Sequence, residues 1–344
     1  MIKLYHVGSG VKKGVYEGGA ARNIVLYKYF KKNKYKLIEI TENRILNICK
    51  VFSVLFFLKN SKIVLQYPFL GVPVKIKIIR DIYLLLLKRA SMRNKIFFDL
   101  NDLPYEQAID LELKIRKYFL EIEKVIFNIN AKFSFASYAM RDYICKKYEV
   151  SIENTIVCEN GGNRLNNQIN ISKYLKFIKK DKLNIVYAGT LNKGRQIENI
   201  LKIVINNKEV NLILMGTLGE WINKEIQKSN IIYLGALEEE LAHKIVSFCD
   251  IGLIPYDQDR FYYNIAFPVK LSFYITAGIT FLSTEVVEVL SINKKYNFGY
   301  TEKIENWDKF FTKITKDELD IKKEKINKCK KNFYWENIFK KINF

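Results

Sequence analysis

The sequence predicts an α/β protein made of two parallel, doubly wound domains, and three observations carry the prediction. Short apolar runs rich in Ile and Val alternate with helical patterns along the whole chain, the order in which a parallel sheet and its covering helices are assembled. The length, 344 residues, suits two domains of about 150 residues each. Between the two alternating runs lies a polar stretch, residues 161–182, rich in Asn and Lys, which reads as a linker.

Taken in order, the first half offers strands at 2–7, 36–40, 62–66, 96–100, 132–136 and 155–158. A glycine-bearing loop, 8–19, and a helix, 20–30, follow the first of these. A long amphipathic region, 106–128, precedes the fifth, and a helix, 138–147, follows it. The second half offers strands at 183–188, 211–215, 231–234, 251–254 and 279–282. Two such domains are expected to hold a ligand cleft between them, since α/β ligands gather at the carboxyl ends of strands.

With 49% hydrophobic and 14% aromatic residues, each half can bury a core of its own. The formal charge of +21 is uneven: residues 1–165 carry 29 Lys and Arg against 15 Asp and Glu, a surplus of 14, and the rest carry 28 against 21, a surplus of 7. A basic surface draws anionic lipid, nucleic acid or phosphorylated substrate. Zinc-finger spacing, an aromatic ribonucleoprotein signature and a helix-turn-helix cue are all missing from the sequence, so no nucleic-acid partner is expected. Five cysteines stand far apart with no C-x-x-C pair, and His6 and His243 are the only histidines. Reduced core cysteines in a cytosolic protein, and no histidine-built metal site, are therefore expected. The N-terminus does not read as a signal peptide, and the longest apolar stretches, 51–58 and 82–87, are too short to cross a bilayer. The expectation is a cytoplasmic protein, soluble or peripheral on the membrane.

Two phosphate-seeking devices sit in the second half. In the first, the strand 183–188 ends at Gly189, a tight turn holds Lys193, Gly194 and Arg195, and the helical pattern Ile197, Ile200, Leu201, Val204 follows. Amides at a helix N-terminus with cations beside them bind phosphate oxygens. In the second, Pro268 precedes a helix whose first turn carries Lys270, and Gly278 closes it ahead of the strand 279–282. Singly, a strand–glycine turn is ordinary α/β architecture and a lysine is ordinary surface. In this order on one domain they point to a nucleoside diphosphate.

The strings YAGTLNKGR, LILMGTLG, IIYLGALEEEL, CDIGLIPY and PVKLSFYITAG follow one another from Tyr187 to Gly278. They resemble the motifs of GT-B glycosyltransferases, especially the nucleotide-sugar enzymes of the retaining family 4-like group and related glucosyl- and galactofuranosyltransferases that build bacterial capsule and lipopolysaccharide. The resemblance implies two Rossmann-like domains facing across a cleft: an acceptor domain at 1–165, a donor domain at 166–325, and a closing helix at 326–344 that packs back on the first. In the closing string FYWENIFKKINF, Trp335 would be a packing anchor. The implied activity is transfer of a hexose-type sugar from a nucleoside diphosphate, UDP being expected, to a glycan or lipid-linked saccharide. Neither a metal nor another cofactor is implied.

Residue by residue, the resemblance has Arg195 and Lys270 neutralise the donor diphosphate and the departing nucleoside diphosphate, where other enzymes use a metal; Lys193 is the alternative to Arg195. Gly189 and Thr190, Gly216, and the turn Leu234–Gly235–Ala236 would bring backbone close to the nucleotide, and Phe267, Leu271 and Ser272 flank Lys270 in the donor site. Asp257, Asp259 and Tyr263 stand where sugar hydroxyls are read, unless they form only an exposed acidic loop. Phe273 replaces a glutamate that in many relatives binds the ribose, leaving Ser272 and Tyr274 as nearby polar candidates.

In the first half, Gly18–Gly19–Ala20 resembles the glycine-rich loop before the first helix, which approaches the donor phosphates and acceptor; a plain turn is the other reading. FFDLNDLPYE resembles a strand that ends in a histidine–aspartate pair. Asn101 takes the place of the histidine, so Asp99 and Asp102 remain as carboxylates to orient or deprotonate an acceptor hydroxyl, or, for Asp102, to start a helix. ENGGNR at 159–164 matches the end of the first domain, with Gly161 and Gly162 at a hinge and Asn163 or Arg164 facing the cleft.

Residues 74–95 thread Lys75, Lys77, Arg80, Lys88, Arg89, Arg93 and Lys95 through apolar neighbours. Such a segment is either an interfacial element on an anionic membrane surface or a core helix with solvated basic flanks. Two further readings compete with a transferase: a sugar-nucleotide epimerase of the same fold, and a catalytically silent GT-B shell that binds a glycan or a sister subunit. The oligomeric state is left open.

Overall fold

A computed structural model describes residues 3–9, 18–192, 194–225 and 230–342. They divide into two compact units, one reaching Glu159 and taking back residues 339–342, the other formed by Asn160–Ile338.

The first unit runs β1 Lys3–Ser9, α1 Gly18–Lys32, β2 Lys36–Ile40, α2 Arg44–Phe57, β3 Ser61–Tyr67, α3 Lys77–Ser91, β4 Lys95–Leu100, α4 Pro104–Asp110, α5 Tyr118–Ile126, β5 Ala131–Phe135, α6 Tyr138–Tyr148 and β6 Thr155–Val157. Its strands form one parallel sheet in the order β2-β1-β3-β4-β5-β6. Parallel neighbours need a crossover, which the helices supply. β3 and β4 are buried along almost their whole length, as strands covered on both faces must be. Asn43 and Ser137 start α2 and α6 by accepting the amides of Leu46 and Met140 at 3.0 and 2.9 Å, satisfying donors that a helix N-terminus leaves open. The amphipathic region expected at 106–128 is broken into α4 and α5. Glu112 turns left-handed at φ 55, and residues 112–117 are all exposed, so no face is available there to pack.

Two buried polar groups brace this unit. Tyr67, at the carboxyl end of β3, donates to Glu123 of α5 at 2.7 Å, and Tyr148 of α6 donates to the other carboxylate oxygen at 2.8 Å. Burial, and then the nearby Glu106 charge, push the Glu123 carboxyl up to about 7. Across the sheet, Arg22 of α1 donates from Nε and Nη2 to Asp99 at 3.0 and 2.7 Å and from Nη1 to the Cys158 carbonyl at 2.8 Å. Phe339 lies against the guanidinium, 5.6 Å from ring centroid to Cζ.

The second unit runs β7 Leu183–Ala188, α7 Ile197–Ile205, β8 Val210–Met215, α8 Glu220–Glu225, β9 Ile231–Tyr233, α9 Glu239–Val246, β10 Ile251–Ile254, α10 Phe261–Ile265, α11 Val269–Ala277, β11 Thr280–Ser283, α12 Val287–Tyr296, β12 Tyr300–Thr301, α13 Trp307–Lys313, α14 Lys316–Cys329 and α15 Trp335–Ile338. Its parallel sheet has the order β12-β11-β10-β7-β8-β9. Side chains alternate along each strand, so Ile185 and Tyr187 enter a core with α7 and Trp307, while Val186 enters a second core with α11 on the opposite face. From β7 the order runs out through β8 and β9 on one side and through β10 to β12 on the other. That reversal is the topological switch point of a dinucleotide-type fold, and the crevice for a ligand opens outside the carboxyl ends of β7 and β10.

Several boundaries differ from expectation. The division falls at Glu159/Asn160 rather than 165/166, because Gly162 donates to the Phe333 carbonyl at 2.9 Å and packs on Thr276. The supposed linker 161–182 is thus part of the second unit. So is α14, and the chain returns to the first unit only at Phe339, not at 326. Trp335 is a packing residue, as expected, but it is buried within the second unit against Gly161. β12 was not foreseen, being only two residues long.

Candidate functional site

The switch point of the second unit gathers two cations, two glycines and three tyrosines. Gly189 follows β7 with φ 150, and Gly216 follows β8 with φ 148. Their backbones nearly touch: a Cβ on Gly216 would lie 1.8 Å from the Gly189 carbonyl oxygen, and one on Gly189 would lie 2.7 Å from Cε and 2.9 Å from Nζ of Lys270. Hydrogen bonds from Gly189 N to Met215 O at 2.8 Å and from Gly216 N to Gly235 O at 2.9 Å lock the loops after β7, β8 and β9 together.

Lys270, in the first turn of α11, crosses over Gly189 with its ammonium 4.9 Å from the Tyr187 ring centroid and 5.2 Å from that of Tyr256. Aromatic faces attract a cation and fix its direction. Tyr256 stacks on Tyr263, centroids 4.5 Å apart, and the Tyr187 hydroxyl donates to Thr190 O at 3.0 Å. Arg195, partly buried ahead of α7, reaches the same tyrosines. Burial works against its charge, and the Tyr187, Tyr263 and Tyr256 oxygens more than offset this, holding its pKa above the ordinary value. Among the described residues neither Arg195 nor Lys270 has a carboxylate partner. Gln196, the residue before α7, makes no side-chain cap, and neither does Pro268 before α11. Two cations, each near the start of a helix, therefore converge on one crevice, an arrangement that favours a multiply charged anion, while Glu198 in the first turn of α7 is occupied by the Gly194 amide at 2.9 Å.

The remaining candidates in this unit separate into those beside the crevice and those beneath it. Gly189, Thr190, Gly216, Leu234 and Gly235 line the carboxyl ends of the strands; Leu234 N bonds Leu214 O at 2.9 Å and Gly235 turns at φ 75, with Ala236 exposed beyond it. Lys193 lies outside the described residues. Asp257 folds its own loop, accepting the Asp259 amide at 3.1 Å and standing 3.6 Å from Arg260 Nε; Asp259 is exposed.

Phe267, Leu271 and Ser272 are buried beneath the surface, which corrects their expected place as donor contacts. Ser272 Oγ donates to Asn160 O at 2.6 Å, and Asn160 Nδ2 donates to Phe267 O at 3.3 Å. Tyr274 is buried as well, its hydroxyl 3.1 Å from Leu253 O. Neither polar candidate for the ribose faces a ligand. Sequence reasoning did not select Tyr187 and Tyr256. Their signal was an aromatic residue two positions before Gly189 and another two after Ile254, at the ends of the two strands that flank the reversal.

Phe273 meets His243 of α9, whose Nε2 donates to its carbonyl at 3.2 Å and lies 3.1 Å from Thr276 Oγ1. Burial is the main cause that lowers the His243 pKa from 6.5 to about 4, with the bond to Phe273 opposing it. Since the folded value is depressed, the unfolded chain binds the extra proton between these two values. Stability is expected to be complete above pH 6.5 and to fall by about 3 kcal/mol as the pH drops toward 4. Melting temperatures of wild type and His243→Gln from pH 7 to 4 check this: the variant should lose less on acidification, and equal losses would assign the effect to other groups.

In the first unit Gly18 and Gly19 form the first turn of α1 rather than a loop ahead of it. Asp99 is withdrawn from acid/base work, since it is buried and Arg22 engages both of its oxygens. Burial disfavours the Arg22 charge, but Asp99 outweighs it and holds the pKa above its ordinary value; removing either partner would strand a buried charge. Asp102 is half-buried and accepts Asn101 Nδ2 at 3.0 Å. It does not cap α4, whose N-cap is Leu103. In the second unit Asn163 and Arg164 are bonded to Glu239 and Glu336. Among the described residues no three His, Cys, Asp or Glu side chains gather as a metal site.

No family model matches the sequence, and no curated protein does. Solved structures match over nearly the whole chain. The glycosyltransferase WaaG, involved in lipopolysaccharide biosynthesis, superposes with a TM-score of 0.63 at 11% identity, covering 99% of this chain and 98% of its own. Anabaena Alr3699/HepE in complex with UDP and glucose gives 0.67 at 10% identity over 99% and 98%. Sucrose-phosphate synthase from Thermosynechococcus elongatus gives 0.69 at 10% identity over 98% and 97%. Likeness at this identity is likeness of fold, and the chain has the GT-B fold of two parallel-sheet, Rossmann-like domains that its five strings implied.

Proposed function

We propose that the protein is a glycosyltransferase that moves a hexose-type unit from a UDP-sugar, without a metal, to a glycan or lipid-linked saccharide in the synthesis of a bacterial surface polysaccharide. One observation carries this reading: Arg195 and Lys270 converge, with no carboxylate partner among the described residues, on the switch-point crevice of the second unit. Glycosyl transfer breaks the bond between sugar C1 and the diphosphate oxygen while the acceptor oxygen takes C1 and gives up its proton. Negative charge grows on the departing diphosphate, and fixed cations act most strongly where charge develops. Tyr187 and Tyr256 hold Lys270 in place for that task. The UDP complexes of HepE and the role of WaaG in lipopolysaccharide biosynthesis support the donor and the pathway.

A thermal-shift panel of UDP, GDP, ADP and CMP, with and without magnesium, tests the reading. A ligand that binds only the native state adds about 2.7 kcal/mol at a hundred-fold excess over its Kd. UDP is expected to raise the melting temperature by several degrees equally with and without magnesium. A shift that requires magnesium would remove the metal-free proposal, and no shift with any nucleotide would favour a silent shell over an enzyme.

A further inference from the structure

The outer surface of α2 and α3 in the first unit is apolar where a soluble helix is normally polar. Of the 22 large apolar side chains exposed among the described residues, ten lie between Ile45 and Met92. On α3 the usual amphipathy is broken on both faces, although Tyr83, Leu87 and Ala90 still pack inward. Arg80 faces inward, 7% exposed, donating to the Val74 carbonyl and pairing with Glu121 of α5 at 2.8 Å, while Ile78 and Leu85 stand 68% and 67% exposed. With Ile82 and Met92 they recur at helical spacing on one outward stripe. α2 packs beside α3 and contributes Ile45 and Phe57, 75% and 71% exposed. Arg93 donates to the Phe56 carbonyl at 3.0 Å and Arg89 lies 4.9 Å from the Phe56 ring centroid, so the two stripes are tied into one surface. Phe69 and Arg44, both exposed, also line a pocket of 310 Å³ walled by Ile40, Leu70 and Val72, room for a segment of hydrocarbon chain.

Charge decides what this face fits. Residues 44–95 hold eleven lysines and arginines and a single acidic residue, Asp81. A second copy of the chain would bring the same positive field against its own in a two-fold contact. An anionic bilayer complements both features, since apolar side chains enter the headgroup boundary and lysines at its rim meet lipid phosphates. No described helix is long and apolar enough to cross a membrane, which leaves docking on the surface.

We propose that the α2–α3 face docks the protein on an anionic lipid surface, with Ile78, Ile82, Leu85 and Phe57 inserted and Lys75, Lys77 and Lys88 on the headgroups. This extends the basic segment 74–95 to a second helix and takes Arg80 out of it. The donor site is not involved, so either idea can fail without the other.

The full-length protein is sedimented with vesicles of phosphatidylcholine alone and of phosphatidylcholine with phosphatidylglycerol in equal parts, at physiological salt, alongside Lys77→Gln/Lys88→Gln and Ile78→Gln/Leu85→Gln. All four positions are exposed, so the fold should tolerate them; an unchanged UDP thermal shift and melting temperature verify it. Binding is expected only to the anionic vesicles, weakened about five-fold for each lysine lost and about ten-fold or more by the apolar pair. Equal binding by wild type and both variants would overturn the proposal. So would a dimer seen by light scattering that the apolar pair dissolves, which would make the occupant a second copy, or a lack of vesicle binding by wild type.

Discussion

Replacing Lys270 with methionine is expected to weaken UDP binding about 10- to 100-fold, the usual worth of a charged hydrogen bond. It should also slow sugar transfer by about 10²–10³-fold, the loss seen when one preorganised donor to a developing charge is removed. Methionine keeps the apolar stem that crosses Gly189 and lies against Tyr187 and Tyr256, so the charge is what changes. Lys270 makes no ion pair among the described residues, and the nucleotide-free melting temperature should move little. Calorimetric titration of UDP into both proteins gives the first number, and initial rates with a productive acceptor give the second. Unchanged UDP affinity would take the diphosphate away from this crevice and leave Lys270 as a packing residue. Lys270→Arg is not expected to restore function, because a planar guanidinium does not occupy the place of a compact ammonium between two rings.

Gly216→Ala should be the most damaging single-methyl change in the second unit's site. Two costs add: a side chain at φ 148, worth about 1–3 kcal/mol of backbone strain, and a Cβ placed 1.8 Å from the Gly189 oxygen, which forces the loops after β7 and β8 apart at about 1–3 kcal/mol more. The melting temperature is expected to fall by roughly 5–25 °C, at about 2–4 °C per kcal/mol for a unit of this size, and UDP affinity should fall with it. Gly194→Ala is the matched control. Gly194 also has a positive φ, 83, but a Cβ there would meet nothing within 4 Å, so only the strain remains. If the two variants melt together, close approach of the loops is not what requires glycine at 216.

The alternation of strands and helices was plain in the sequence because each period reports on its own few residues: 3.6 in α7, continuous burial in β8. Lys270 and Arg195 were legible for a similar reason, each standing within a turn or two of the glycine or proline that opens its loop. What escaped was pairing at a distance. Asp99 looked like a free carboxylate on a strand end, and only the fold brings Arg22 to it from 77 positions away. Ser272 and Phe267 are close in sequence to Lys270, yet α11 turns Ser272 inward to bond the Asn160 carbonyl, and Phe267, ahead of the helix, is buried with its own carbonyl accepting from Asn160 Nδ2. Tyr187 lies on β7 and Tyr256 just past the end of β10, two strands that become neighbours only when the sheet reverses at β7. The inward turn of Arg80 was equally hidden, since one cation among seven looks like the rest until Glu121 is placed beside it.

The return of residues 339–342 to the first unit has a consequence for how the protein is made. The ribosome finishes the rest of that unit at Glu159 but does not deliver Phe339 until the whole second unit has been translated, a delay on the order of ten seconds or more. Throughout it, Tyr29 and the Arg22–Asp99 pair lack the ring that covers them in the finished chain. The nascent first unit therefore leaves a patch around Tyr29 and the Arg22–Asp99 pair unsealed. A stop codon a few residues early would leave that patch permanently open in a chain whose second unit is otherwise intact.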